Sequence, residues 1–298
     1  MTWHILGAGS LGALWACRFA EAGMNPCLIM RNPAKLVRYQ NAKGLRFNDK
    51  TYAIAAELPQ SSTPISKVLV TCKAYDAADA VASIASRLTS DAYLVLLQNG
   101  LGSQDHVQAL APAARCVLGA STEGAYRPSE FAVIPAGVGL NRLGADDLPP
   151  PEWLGDLAKA QIPYEWCDNI ETKLWHKFAV NCAINPLTVL YNCQNGQLLE
   201  HQAELIAVID ELKTFLIANH QPDAAAQLTE DVLAVIRATA QNYSSMHQDV
   251  AHKRRTEIDY LLGFAIRRAD AQALSLPTLL TLYQRFKAHL NALGLAQH

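Results

Sequence analysis

Apolar and polar positions along the chain keep one rhythm up to about residue 168 and another beyond it. In the first part, short apolar runs alternate with longer amphipathic stretches, as parallel strands do with their crossover helices. Strands are predicted at residues 3–6 (WHIL), 26–30 (PCLIM), 66–71 (SKVLVT) and 93–97 (YLVLL). Helices are predicted at 13–22, closed by Gly23, at 76–88 and at 153–160, with a strand at 164–167. Apolar runs at 116–120, 131–135 and 137–141 have no helix between them, and 126–130 reads as a turn. They predict an antiparallel extension at the sheet edge. Residues 146–151 (DDLPPP) form a proline-rich loop. Beyond it the pattern turns helical: 169–195, 197–219, 223–242, and from 246 to the end with breaks near 274–277. The expectation is an α/β Rossmann-type domain over 1–168 and an all-α domain over 169–298, with a ligand cleft between them.

The helix predicted from 169, with Asn169 as N-cap and Gly196 as stop, is apolar at almost every angle. Leu174, Trp175, Phe178, Ala179, Val180, Cys182, Ala183 and Ile184 leave it no clear solvent face. Yet Lys177, Asn181 and Asn185 recur at intervals of four and share one side, with a kink expected at Pro186. An amine and two amides in such a helix are either a solvated stripe or the wall of a pocket.

The glycine pattern says what such a pocket would serve. Gly7-Ala8-Gly9-Ser10-Leu11-Gly12 sits between a predicted strand and a predicted helix, the context a dinucleotide fingerprint needs. Gly7 allows the tight turn, Gly9 lets backbone approach a pyrophosphate, and Gly12 lets helix pack on strand. The helix N-terminus then offers N–H groups to the anion. The second strand ends Met30-Arg31-Asn32 without the acid that would hold the ribose hydroxyls of NAD. Arg31 instead suits the 2′-phosphate of NADP. Lys73, at the end of the 66–71 strand, could reach the same phosphate or the adenine edge. Asn99, after the 93–97 strand, could meet the nicotinamide ribose or substrate, or simply form the turn before Gly100.

Composition narrows the class. The 298 residues are 50% hydrophobic and 17% charged, with a formal net charge of −2. That gives no general pull toward nucleic acid or anionic membrane. The seven cysteines form no CxxC pair and no Cys/His metal spacing, so buried thiols in a reducing compartment are expected and no metal is called for. No signal peptide or long apolar span is evident, and a cytoplasmic protein is expected.

Toward the end of the chain, Asp249, Lys253, Glu257 and Asp259 have the spacing of an exposed charged helix face. Glu257, just before the apolar LLGFAI, is also a candidate buried acid, and Ser244 and Ser245 could cap a helix. The motifs GAGSLG, TCKAY, QNG, LWHKFAVNCAINPLT, NCQNG, SSMHQDV and RRTEIDYLLG, in this order over nearly the whole chain, resemble the ketopantoate reductase (2-dehydropantoate 2-reductase) family. The resemblance implies NADPH in the cleft and Lys177 as catalytic lysine with Glu257 as the essential acid. It implies Asn181, Asn185 and Ser245 as holders of the keto acid, with Asn99 and Asn195 near substrate. It implies Arg31 and Lys73 at the NADP phosphate, and a place in pantothenate and coenzyme A synthesis. The loop at 121–128 (STEGAYRP) does not match the family confidently. Two other readings stay open: a reductase of a different 2-keto acid, and a non-catalytic NADP-sensing module. The sequence does not decide between monomer and homodimer.

Overall fold

A computed structural model describes residues 2–297. The chain forms two compact units, one of residues 1–98 and 103–171, the other of 99–102 and 172–298. The first unit runs β1 (His4–Leu6), α1 (Ser10–Glu21), β2 (Cys27–Ile29), α2 (Pro33–Asn41), β3 (Leu45–Phe47), β4 (Lys50–Tyr52), β5 (Ala55–Glu57), β6 (Ile65–Val70), α3 (Ala74–Ala82), β7 (Leu88–Leu96) and α4 (Ser103–Leu110). It continues with β8 (Arg115–Ser121), β9 (Gly124–Ser129), β10 (Ala132–Gly137), β11 (Asn141–Gly144), α5 (Leu154–Lys159) and β12 (Tyr164–Trp166).

Eight strands make one sheet in the order β12-β11-β8-β7-β6-β1-β2-β5. Its neighbours run parallel, except β11 against β8. Alternation along the strands builds two cores. Leu28, Ile5, Leu69, Val95 and Val117 form a row in register on one face, where Leu14, Trp15 and Phe19 of α1 cover them. Leu6, Ile29, Val70 and Leu96 form the row on the other face, under Ala77 and Val81 of α3 and Val107 of α4. Both faces are thus buried, which is why these strands read as unbroken apolar runs. Strand order reverses at β1, between β2 and β6, so the glycine turn emerges at a topological switch point.

Four short strands form a second sheet, β4-β3-β10-β9. Here the structure departs from the sequence pattern. Residues 126–130 are mostly strand, not turn: β9 pairs with β10 alone, and an edge strand tolerates Pro128 and shows no apolar alternation. The strand expected at 137–141 is the end of β10 and the start of β11. The helix expected at 76–88 stops at Ala82, and β7 begins at Leu88 with a polar, solvent-facing stretch before its apolar core. Helix α2 carries a start signal, Asn32-Pro33: the Asn32 side chain accepts from the Lys35 N–H at 2.9 Å.

Glu123, between β8 and β9, ties the two sheets to α1. Its side chain is fully buried and accepts from Trp15 Nε1 and Asn141 Nδ2, each at 2.9 Å, and from Arg18. Glu123→Ala strands these donors, and Arg18 keeps its charge with little solvent. We expect a loss of about 3 kcal/mol, the low end for breaking a buried pair, measured as the drop in unfolding free energy by denaturant titration.

Another buried polar cluster joins neighbouring strands: the side chains of His4, Cys27 and Glu57 converge within 4.8 Å. Arg87 pairs with Glu57, and burial holds the His4 imidazole below its usual pKa. None of the seven cysteines is in a disulfide among the described residues, and five of them are buried.

The second unit is helical: α6 (Ile170–Leu190), α7 (Gln202–Ala218), α8 (Pro222–Ala238), α9 (Ser245–Ala251), α10 (Leu262–Ala271) and α11 (Pro277–Ala292), with 3-10 turns at Asn195–His201 and Ile258–Tyr260. Trp175 and Phe178 of α6 pack with Phe215 and Phe264, ring centroids 5.6–6.1 Å apart. Helix α6 is shorter than expected. Asn192 takes the left-handed conformation at φ 47°, and the Cys193 N–H turns back to the Thr188 carbonyl at 3.0 Å, a Schellman-type stop. A capping box on Gln194 then starts the 3-10 turn, so α7 begins at Gln202 rather than 197. The long final helix also breaks earlier than expected. Lys253 at φ 54° ends α9, and Glu257 lies off the helices, just before the second 3-10 turn. No helix among the described residues is long and apolar enough to cross a membrane.

Candidate active site

The glycine turn joins β1 to α1. Gly7 takes φ +105°, and a Cβ there would lie 2.4 Å from the Cys72 backbone nitrogen. A Cβ on Gly12 would lie 2.3 Å from the Gly7 carbonyl oxygen and 2.4 Å from Thr71 Oγ1. These two glycines are demanded by the fold. Gly9 is not: a Cβ there would meet only the Thr71 carbonyl oxygen, at 3.9 Å, and its φ of −79° suits any residue. The open space lies at the N-cap of α1, ahead of Ser10 and Leu11, whose N–H groups belong to the first helical turn. Ala8 between the glycines is buried. A cradle that one methyl would fill, at a helix N-terminus, fits a dinucleotide pyrophosphate.

Arg31 follows β2 and is largely exposed, its guanidinium 3.8 Å from Asp76 in the first turn of α3. Lys73 is the N-cap of that same helix. The fold therefore brings Arg31 and Lys73 to adjoining elements beside the switch point.

The turn after β7 carries Asn99 and belongs to the second unit. It is fastened there by the Leu101 N–H, which donates to the Tyr260 carbonyl at 3.0 Å. Gly100 at φ +79° fits because a Cβ would lie 2.3 Å from that carbonyl oxygen. Asn99 thus meets two residues that are far away in sequence. Lys177 Nζ donates to Asn99 Oδ1 at 2.9 Å, and Asn99 Nδ2 donates to Glu257 at 3.4 Å. Glu257 is 5% exposed, not part of an exposed charged face. Burial lowers the Lys177 pKa to about 8, and the Glu257 carboxylate opposes that fall.

Asn181 and Asn185 continue the row from Lys177 along α6. Asn185 is buried and Asn181 half-buried, and neither amide makes a hydrogen bond among the described residues. Their unpaired amide groups are open to water or a ligand. Ser245 opens α9, while Ser244 is its cap, accepting from the His247 N–H at 3.0 Å. Ser244 also hydrogen-bonds Thr188 at 2.7 Å, and Thr188 donates to the Asn185 carbonyl at 2.8 Å. This hydroxyl chain fixes the start of α9 against the polar row of α6, leaving the Ser245 hydroxyl exposed. Sequence reasoning misses Thr188. Its one signal is a hydroxyl inside an otherwise apolar run. Asn195 stands apart in the first 3-10 turn, where Nδ2 donates to Thr239 at 2.8 Å and the buried Oδ1 has no protein partner among the described residues.

A family model described as ketopantoate reductase PanE/ApbA matches residues 3–147, and its C-terminal counterpart matches residues 169–290. The 2-dehydropantoate 2-reductases of Shigella flexneri and Escherichia coli O157:H7 are each 33% identical over 288 residues, spanning 95% of this chain and 93% of theirs. The chain belongs to the ketopantoate reductase family. Among solved structures, a ketopantoate reductase of that family from Ralstonia eutropha JMP134 is 25% identical, with TM-score 0.87 over 97% of this chain and 98% of that one. D-mandelate dehydrogenase, solved with NADH and anilino(oxo)acetate, shares the fold at TM-score 0.87 and 20% identity, over 99% of this chain and 100% of that one. The ketopantoate reductase fold thus accounts for the α/β unit followed by helices. It also covers the 121–128 segment, which forms the end of β8, the Glu123 anchor and most of β9.

Proposed function

We propose that this member of the family is an NADPH-dependent reductase of 2-dehydropantoate, forming (R)-pantoate. The observation that carries the reading is the Lys177–Asn99–Glu257 constellation, with the lysine tuned to about 8. A non-catalytic nucleotide sensor needs the glycine turn and Arg31 but has no use for a tuned lysine facing a buried acid.

The glycine turn holds the pyrophosphate, and Arg31 with Lys73 takes the 2′-phosphate. When bound, the reduced nicotinamide supplies a hydride for C2 of the keto acid. The residues of this chain do the rest. Negative charge grows on the C2 carbonyl oxygen, and the Lys177 ammonium stabilises it and then gives it a proton. Asn99 aims Lys177 through its Oδ1. Glu257 keeps Lys177 protonated near neutrality and offers an acceptor for the substrate hydroxyl. Asn181, Asn185 and Ser245 present unspent polar groups for the carboxylate and hydroxyl of the keto acid, and Asn195 lies near the substrate. The lysine does the polarising, so this scheme calls for no metal. A pantothenate-pathway enzyme working in the cytoplasm, as monomer or homodimer, follows from this reading.

The test is NADPH oxidation, followed by absorbance, with ketopantoate and a panel of aliphatic and aromatic 2-keto acids. We expect ketopantoate to give the highest kcat/KM. Turnover of another acid alone would discard the substrate and keep the Lys177 chemistry. Tight NADPH binding without turnover of any would favour the sensor.

A further inference from the structure

Four cations crowd the corner of the first unit where β2 gives way to α2. Arg31 follows β2, Lys35 and Arg38 lie about one turn apart on α2, and Arg127 reaches in from β9. Two carboxylates lie among them. Glu130 takes both arms of Arg38, at 2.9 and 2.8 Å, and Asp76 stands 3.8 Å from Arg31. Lys35 is half-buried and has no carboxylate within ion-pair distance among the described residues. Burial lowers its pKa, Arg127 lowers it further, and the Glu130 carboxylate opposes that fall. Arg127 is held in place by Nη1, which donates to the Ala8 carbonyl at 3.1 Å and to the Glu130 carbonyl at 3.3 Å. Its guanidinium is therefore docked on the middle of the glycine turn. Lys35 and Arg127 are half-buried while Arg31 and Arg38 are exposed, and like charges gathered there raise each other's free energy until an anion meets them.

We infer that Lys35 and Arg127 complete, with Arg31 and Lys73, a clamp for the 2′-phosphate of the dinucleotide, and so set the preference for NADP over NAD. The inference rests on the proposed nucleotide role of the glycine turn. The pyrophosphate is served by the open side of Gly9 and the N-terminus of α1. Lys35 and Arg31 instead flank the end of β2, where this fold places the adenosine ribose. A phosphate there accepts charged hydrogen bonds from an ammonium and a planar guanidinium. Arg127 comes from the second sheet, outside the βαβ unit, so no fingerprint in the sequence exposes it. The 121–128 segment thereby acquires a purpose, since it delivers this arginine.

The experiment is direct binding of NADPH and NADH to the full chain, read by nicotinamide fluorescence, for the wild type, Lys35→Gln and Arg127→Gln. We expect each variant to weaken NADPH about tenfold to a hundredfold, and NADH by less than about twofold. The excess salt sensitivity of NADPH over NADH should shrink in both. Lys35→Gln makes no change at the Ala8 carbonyl, so it separates phosphate contact from support of the turn. An unchanged NADPH/NADH ratio in Lys35→Gln, or equal loss of both nucleotides in Arg127→Gln, overturns the clamp. Wild-type protein that binds neither nucleotide overturns the glycine-turn reading itself, a result visible before any variant is made.

Discussion

On the proposed mechanism we expect Lys177→Ala to lower kcat for keto-acid reduction by about 10²–10⁴, the range for loss of a general acid, and to leave NADPH binding in place. The lysine sits on α6 in the second unit, whereas the glycine turn and Arg31 lie in the first, so affinity for nucleotide and chemistry should separate. The pH profile carries the sign of the role. An ammonium that donates its proton is competent below its pKa, so kcat/KM is flat at lower pH and falls as pH rises through about 8. A general base would give the opposite limb. Glu257 raises the lysine pKa against desolvation. Glu257→Gln removes that support, and the descending limb moves to lower pH. Steady-state rates across pH for wild type and Glu257→Gln, with NADPH dissociation constants measured alongside for Lys177→Ala, test all of this. A Lys177→Ala enzyme with wild-type turnover would end the assignment, and a limb that moves to higher pH in Glu257→Gln would remove the acid from its place beside the lysine.

What the sequence shows and what it hides follow from the range of each interaction. Strands β1, β2, β6 and β7 are buried on both faces, so their apolar runs are visible without any partner. The intervals of four from Lys177 to Asn185 are visible because one helix fixes their phase. Neither pattern says that Asn99 stands between Lys177 and Glu257, since three separate elements meet there. In the sequence, Glu257 reads either as one charge in a run of charges or as a buried acid ahead of LLGFAI, and the run itself does not decide between them. Glu257 is buried because Lys253 breaks the helix, and a left-handed lysine leaves no compositional trace. The end of α6 is hidden for a related reason: Asn192, not Gly196, takes the left-handed position. Strand β9 is hidden by being an edge, where polar residues and Pro128 are tolerated. Arg127 is the sharpest case, because its hydrogen bond to the Ala8 carbonyl depends wholly on how the second sheet folds back on the glycine turn.

The three glycines of the fingerprint should answer differently to one methyl group, and the contrast tests what the turn is for. Gly12→Ala places a Cβ 2.3 Å from a backbone oxygen, which cannot yield cheaply, so the variant loses about 1–3 kcal/mol of stability. Gly7→Ala is strained by its positive φ as well as by contact. Gly9→Ala meets no protein atom closer than 3.9 Å and keeps an ordinary backbone conformation, so its unfolding free energy stays within about 0.5 kcal/mol of wild type. Yet the methyl occupies the space through which a pyrophosphate would approach backbone N–H groups. A clash of about 1–3 kcal/mol there weakens NADPH and NADH alike by about tenfold to a hundredfold. Thermal melts and nucleotide titrations on Gly9→Ala and Gly12→Ala resolve the two effects. A Gly9→Ala protein that melts like wild type and binds NADPH like wild type would mean that this glycine serves no ligand, and the nucleotide role of the turn would fall with it. A stable Gly9→Ala protein that has lost both nucleotides would show a residue kept for the ligand rather than for the fold.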